Sequence, residues 1–330
     1  MKISIITTFY NAQQFILEAI NSVNQQEFDN NEIQVEYILV NDKSTDKSLE
    51  IAKDFVKNFG SNKIDFKFIE PTENLGCGGA RKFGIDHATG DFFMFLDADD
   101  YYMHKDFIHR AYHDIINEEA DIVEYGVLFN QPNGQQVNNT IQQKAVIENN
   151  STIAEIALFK DNMIKFNVWS KIYKRWIVES YPYSTVRTYE DVRTIPVWIS
   201  NANKIVIMPT TEINYRAATG SIIRTNMVET RLGTITGIAE LFPRFKDNLH
   251  VLKAMYTRAM VDLEALLHNH SSKDEGFNEM SRLNTYMLAF IYPTKLKEMT
   301  YHIEDEGQEE NQENNQQLTP DKSFDDIEIE

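Results

Sequence analysis

The feature that most constrains the fold is an alternation, over the first hundred residues, of short β-branched or aromatic runs with amphipathic stretches. Ile3 to Thr7 reads as a strand, and residues 12–25 follow with Phe15, Leu17, Ile20 and Val23 at helical spacing. VEYILV at 35–40 precedes the polar turn NDKSTD and a helical pattern over 45–59. IDFKFIE at 64–70 is closed by Pro71; the Gly-rich turn NLGCGGA then leads into a helix over 79–89. A fourth strand, DFFMFLD, ends in the cluster Asp97-Ala98-Asp99-Asp100. This order predicts an α/β sandwich with a largely parallel sheet. In such sheets ligands gather outside the carboxyl ends of the strands. Thr8–Asn11, Asn41–Asp46 and Asp97–Asp100 all fall on that edge.

Beyond residue 120 the pattern loosens. IVEYGVLFN and QQVNNTIQQ flank a Gln-Pro-Asn-Gly turn, a hairpin signature. A mixed region follows to residue 216, with NVWSKIY, YEDVRT and a strand KIVIMP at 204–209. From Met227 to about Leu288 only helical spacing is visible, broken near Pro243 and over 271–276.

Charge and composition exclude several classes. Net charge is −18, and the last 27 residues carry eleven acids and one Lys, leaving −8 for the first 303. An acidic body argues against non-specific binding to duplex nucleic acid, which needs Lys and Arg to neutralise phosphates. The stretch 304–330, rich in Glu, Gln and Asn, cannot bury enough apolar area to offset its ordering entropy, so disorder is expected there. Its acidic and apolar end, SFDDIEIE, suits either a solubilising tail or a docking peptide for a protein partner. The longest apolar run, Tyr286 to Tyr292, is far short of the ~20 residues that span a bilayer. Cys77 is the one cysteine, which rules out an internal disulfide. Polar Ser4, Thr7 and Thr8 interrupt the N-terminal apolar stretch, so it reads as a core strand and not a signal peptide. The cytoplasm is the expected compartment, with peripheral membrane docking as a variant of it.

The chemistry concentrates in a few places. Asp97 and Asp99 at a strand end offer two carboxylates to a hard cation, Mn2+ or Mg2+, with Asp42 and Asp46 at the same edge. The alternative is a solvated turn in which Asp caps a helix. Gly76-Cys77-Gly78-Gly79 has the look of a phosphate cradle at a helix start, though without dinucleotide-fold spacing. Arg81 offers phosphate a bidentate fork, or is a surface helix arginine. Glu190-Asp191 either opens a helix as favoured first-turn acids or supplies a general base. His109 and His113, four apart, read as a solvated helix face, and His268-Asn269-His270 lacks a nuclease context.

Taken in order, SIITTFYN at 4–11, VNDKSTDKS at 40–48, NLGCGGARKFGIDHATGDFFMFLDADD at 74–100, VWSKIY at 168–173, YED at 189–191 and YRAATGSIIR at 215–224 resemble the family 2 glycosyltransferases. These are inverting sugar transferases of the GT-A fold, a Rossmann-like mixed sheet flanked by helices. The resemblance covers residues 1–225. It implies a nucleotide-binding half at 1–100 and an acceptor-binding half at 101–225, followed by a helical appendage at 226–303 and the tail at 304–330.

The resemblance also implies roles. Thr8 and Tyr10 would line the nucleobase pocket, Asp42 would hydrogen-bond uracil, and Arg81 would lie near the nucleotide. Asp97 would contact ribose or metal, with Ala98 beside it on the donor side, and Asp99 would ligate the cation at the diphosphate. Asp191 matches the general base; Trp169, Lys171 and Glu190 would face the acceptor, and 216–224 would close over the donor. Two departures stand out. Thr8 replaces a usual Pro, and Ala217 and Ala218 occupy a stretch where some members place a His.

The implied reaction moves a sugar, a hexose foremost, from a nucleotide-sugar donor, UDP-linked by expectation, to an acceptor hydroxyl. That acceptor could be a saccharide, a lipid-linked saccharide, a protein or a modified base. A GT-A-like nucleotidyltransferase would need a basic Gly-rich loop near the first strand, which MKISIITTFYNAQQ does not offer. A non-catalytic sugar-nucleotide-binding module would have no need of Glu190-Asp191. An adaptor would act through the tail.

Overall fold

Ten strands join one mixed sheet in a computed structural model that describes residues 1–131, 133–148, 151–160, 163–216, 227–267, 282–284, 286–288 and 291. Four of them, β1 (Lys2–Phe9), β2 (Gln34–Asn41), β3 (Ile64–Ile69) and β4 (Phe92–Phe95), run parallel in the order β3-β2-β1-β4. Their runs ISII, YILV and FFMF are buried on both faces, as expected where helices cover both sides of a parallel sheet. The polar residues within them are satisfied. Ser4 donates to Glu36 Oε1 at 2.5 Å, and Glu36 is paired with Lys2 and Lys67 at 2.8 and 2.6 Å.

Connecting helices lie where the periodicity places them: α1 (Ile16–Asn24), α2 (Ser48–Phe59), α3 (Gly76–Asp86) and α4 (Phe107–Asn117). Helix α1 buries Ile16, Ala19, Ile20 and Val23, one stripe at helical spacing. Helix α3 begins three residues earlier than its sequence pattern suggests, for a reason that lies in the site. Between β4 and α4 the chain forms β5 (Tyr101–Tyr102), so the acidic cluster opens a strand and caps no helix.

The second half extends the sheet. β6 (Ile122–Asn130) and β7 (Gln136–Asn139) form the expected hairpin, and β8 (Ala145–Glu148) pairs antiparallel with β10 (Lys204–Arg216). β9 (Lys171–Lys174) runs antiparallel between β4 and β6. β10 continues well beyond KIVIMP; register shifts between Ile207 and Ile213 let one strand pair first with β8 and then with β5. Helices α5 (Ser151–Phe159), α6 (Arg175–Glu179) and α7 (Glu190–Asn201) pack in this half. Trp198 of α7 is fully buried against Tyr173 and Tyr183, and its indole N–H donates to Tyr181 O at 2.9 Å. That anchor fixes where α7 begins.

Helices α8 (Met227–Leu241) and α9 (Leu249–Leu267) follow, separated near Pro243 as the sequence indicates. Among the described residues, no helix is long and apolar enough to cross a membrane. The tail 304–330, the donor loop expected at 216–224 beyond Arg216, and the triplet at 268–270 lie outside the described residues.

Candidate active site

The carboxyl edge of the parallel strands is tied together by side chains. Asn11, at φ 52°, accepts N–H groups from Thr45 at 2.8 Å and Asp46 at 3.3 Å, clipping the loop after β1 to the loop after β2. Asp46 in turn accepts from Ser48 N at 2.9 Å and Gln13 N at 3.1 Å. It therefore caps α2 and joins no metal cluster, contrary to the grouping by edge made from sequence. Thr8 is part-buried at the end of β1, and Tyr10 stands 53% exposed beyond it.

Asp42 is buried, and its two carboxylate oxygens accept N–H groups from Leu75 at 2.7 Å and Gly76 at 2.9 Å. A distant aspartate thus caps α3, which explains the early helix start. It also takes the amides that a phosphate cradle would have offered. The glycines here serve close packing instead: a Cβ on Gly78 would lie 2.3 Å from Val186 O and 2.5 Å from Ser184 O, and Gly76 has φ +73°.

Arg81, one turn into α3, is buried and joins both halves of the site. One terminal nitrogen meets Asp97 Oδ1 at 2.6 Å; the other pairs with Glu190 and donates to Tyr183 Oη at 3.2 Å. Asp191 Oδ1 lies 3.6 Å from the same nitrogen. The guanidinium fork that the sequence offered to phosphate oxygens is spent on carboxylates, because the chain brings three of them around it.

Asp191 sits in the first turn of α7 with its side chain 18% exposed. Tyr183 donates to its Oδ1, and Val168 N donates to Oδ2 at 3.2 Å. Burial pushes the Asp191 carboxyl up to about 7; Arg81 and the Tyr183 hydrogen bond pull the other way, while Glu190 and Asp97 add to the rise. A carboxylate poised near neutrality, with one donor on each oxygen, keeps lone pairs free for a further proton.

Asp97, Asp99 and Asp100 bring carboxylate oxygens within 4.8 Å of one another. Burial, with Asp97 second, pushes Asp99 up to about 6. Asp100 accepts Arg216 N at 2.8 Å through Oδ1, while its buried Oδ2 has no hydrogen-bond partner. Neither Asp42 nor Asp46 belongs to this cluster.

Trp169 and Lys171 follow Val168, the first within the same loop and the second at the start of β9. Trp169 is largely buried and stacks on Tyr215, centroids 5.5 Å apart and planes at 10°. Lys171 is fully buried: its Nζ donates to Lys165 O and Asn167 O at 2.8 and 2.7 Å and lies 3.4 Å from Glu124. Its ammonium holds the 165–170 loop from behind and does not reach open solvent. Glu190 is likewise buried, its charge met by Arg81. The sequence reading missed Tyr183; it placed Asn11 and Asp100 at the strand edge without giving them the roles of loop clip and third carboxylate. Asp100 was visible in DADD; Tyr183 sits in an aromatic-rich stretch, YPYSTVRTYED, with no spacing that marks it. His109 and His113 contact each other on α4, away from this cluster in the chain's topology.

A parallel half extended by an antiparallel β9, with acidic residues at the β4 end, is the GT-A arrangement. The model of glycosyl transferase family 2 matches residues 4–175, and the chain belongs to that family. Glycosyltransferase GlyG of Streptococcus pneumoniae is 26% identical over 287 residues, 82% of this chain and 91% of its own length. Glycosyltransferase GlyA of the same organism is 27% identical across 68% of this chain, which spans 32% of GlyA. Among solved structures, Staphylococcus aureus TarS in complex with UDP-GlcNAc has a TM-score of 0.58 at 20% identity, covering 88% of this chain and 91% of that one. Mannosyltransferase PcManGT from Pyrobaculum calidifontis, in complex with GDP-Man and Mn2+, gives 0.54 at 15% identity, over 87% and 85%.

Proposed function

We propose that the chain transfers a hexosyl group from a UDP-linked donor to an acceptor hydroxyl with inversion at the anomeric carbon, Asp191 acting as general base. The observation that carries this reading is the setting of Asp191: part-buried, raised to about 7, and oriented by Tyr183 and Val168 N. Support for the donor comes from the TarS fold, whose structure holds UDP-GlcNAc. Residues 1–225 would carry the transfer and 226–303 would support it. Thr8 and Tyr10 form the nucleobase end, with Asp42 capping α3 at the same edge, and Ala98 the floor beside the carboxylates.

A divalent cation fits the residues present. Three carboxylates supply the all-oxygen donor set that Mn2+ or Mg2+ prefers, and the partnerless buried Oδ2 of Asp100 is one lone-pair donor waiting for a cation. Asp99 and Asp100 would hold it, with the second oxygen of Asp97 alongside; when bound, it would offset charge on the departing diphosphate.

The chain's own residues perform the rest. Asp191 accepts the proton of the acceptor hydroxyl as its oxygen bonds to the anomeric carbon. The bond from that carbon to the diphosphate oxygen breaks, and its electron pair leaves with UDP. The proton then passes from Asp191 to solvent. Arg81 keeps Glu190 and Asp97 apart in charge while fixing both in place, and Lys171 and Val168 hold the acceptor wall. Such a positioned base contributes ~10²–10⁴-fold.

The test is a thermal-shift screen of UDP- and GDP-sugars with and without Mn2+. A ligand that binds only the native state raises its stability. A UDP-sugar should shift the melting point, and only with Mn2+. No shift from any UDP-sugar would overturn the donor assignment.

A further inference from the structure

We infer that α8 is a positioning element for the base, acting through Thr230 and Gly233 on Tyr189. This inference rests on the reading of Asp191 as the base. Tyr189 directly precedes Glu190-Asp191 and adopts the left-handed conformation, φ 61° and ψ 29°, uncommon for any residue with a Cβ and more so for a bulky one. Those two angles set the direction in which α7 starts, and therefore where the Asp191 carboxylate falls.

Both ends of Tyr189 are fixed from α8. Its hydroxyl donates to Thr230 Oγ1 at 2.6 Å. Its ring lies so close against α8 that a Cβ on Gly233 would stand 2.1 Å from Tyr189 Cδ2 and 2.6 Å from Cε2. Only glycine leaves that space. The Tyr189 carbonyl accepts Arg193 Nη1 at 3.3 Å, and Arg193 is itself paired with Glu240 of α8 at 2.6 Å. Helix α8 thereby over-determines a backbone conformation that the residue would not keep by preference. Tyr189, Thr230 and Gly233 are positioning residues: they act on Asp191 through the chain, whereas its direct partners are Tyr183 and Val168.

Displacement of a catalytic group by about 1 Å can cost ~10²-fold in rate. The experiment uses the full chain and follows UDP release from UDP-GlcNAc and UDP-glucose with Mn2+, water serving as acceptor. Thr230→Val and Gly233→Ala should each lower kcat about tenfold or more, with UDP affinity by calorimetry within about twofold of wild type. The acidic limb of their pH–rate profiles should move, and Thr230→Ser, which keeps the hydroxyl, should restore both. If Gly233→Ala does not fold by circular dichroism, Thr230→Val and its Ser rescue decide. Wild-type kcat and pH profile in Thr230→Val overturn the inference. Asp191→Asn separates the two levels: if it abolishes release while Thr230→Val and Gly233→Ala do not, the positioning role falls and the base stands. If Asp191→Asn keeps wild-type release, the base reading itself falls, and this inference with it.

Discussion

The Tyr183 hydroxyl donates to Asp191 Oδ1 while accepting from Arg81 at 3.2 Å, so one phenol sits between the proposed base and the guanidinium that balances it. That hydrogen bond favours the charged carboxylate, against the burial that raises it to about 7. Transfer needs the deprotonated form. Turnover should therefore climb with pH below about 7 and level off above it. Tyr183→Phe removes a bond to the charged form, and the rising limb should move to higher pH. A pH–rate profile flat between 5 and 9 would contradict this.

The same shift has a consequence for stability. The folded value lies above the ordinary 3.8 of an aspartate, so the contribution of this group is fully present below about 4 and is lost as pH rises through about 7. Asp191→Asn should accordingly gain stability relative to wild type at pH 8 compared with pH 5, read from urea midpoints at both values.

Asp191→Asn should also retain UDP and Mn2+ binding while transfer falls by ~10²-fold or more. Glu190→Gln should act differently, because Glu190 is buried against Arg81 and not poised toward solvent. It should destabilise the fold and disturb both KM and kcat. Equal, small effects from both substitutions, with chemistry intact, would reduce the pair to first-turn acids of α7.

Arg81→Ala should destabilise the protein by about 3–5 kcal/mol, since it strands the charges of Glu190 and Asp97 in the interior. Chemical denaturation measures it. A loss below about 1 kcal/mol would mean that water already balances those carboxylates.

Asp99→Ala should abolish the Mn2+-dependent part of UDP binding, seen by calorimetry. The argument is that the described cations near the cluster are already engaged: Arg81 is committed to carboxylates, and the Arg216 guanidinium pairs with Glu18. Wild-type affinity in that variant would remove Asp99 from the metal site.

How far the sequence reaches can be judged from particular residues. The strands β1 to β4 were legible because double-sided burial leaves continuous apolar runs; Asp99 and Asp191 stand out in sequence because they lie in local motifs, and their roles rest on the proposed function. The environment of Arg81 was not, since its partners lie 16 and 109 residues away and no local pattern records that meeting. For the same reason Asp42 reads as a free loop carboxylate in sequence and as a helix cap in space. Lys171 looked like a cleft residue because VWSKIY is a motif; the alternation within β9 turned its side chain inward to Glu124. Strand β10 was cut short at Pro209 because the bulge that carries it past the Pro depends on pairing with β6.

Strand β9 runs antiparallel to β4, so Met94 pairs with Ile172 and the loop before β9 arrives beside the strand end that leads into Asp97. The loop that carries Val168 and the strand end that leads into Asp97 are thus stitched by main-chain hydrogen bonds within a single sheet, with no linker between them. On the proposed reading, the spacing between leaving group and incoming hydroxyl is then a lattice constant of the sheet. If the proposed transfer holds, loop side chains can change around this frame while the distance over which a sugar has to travel stays the same.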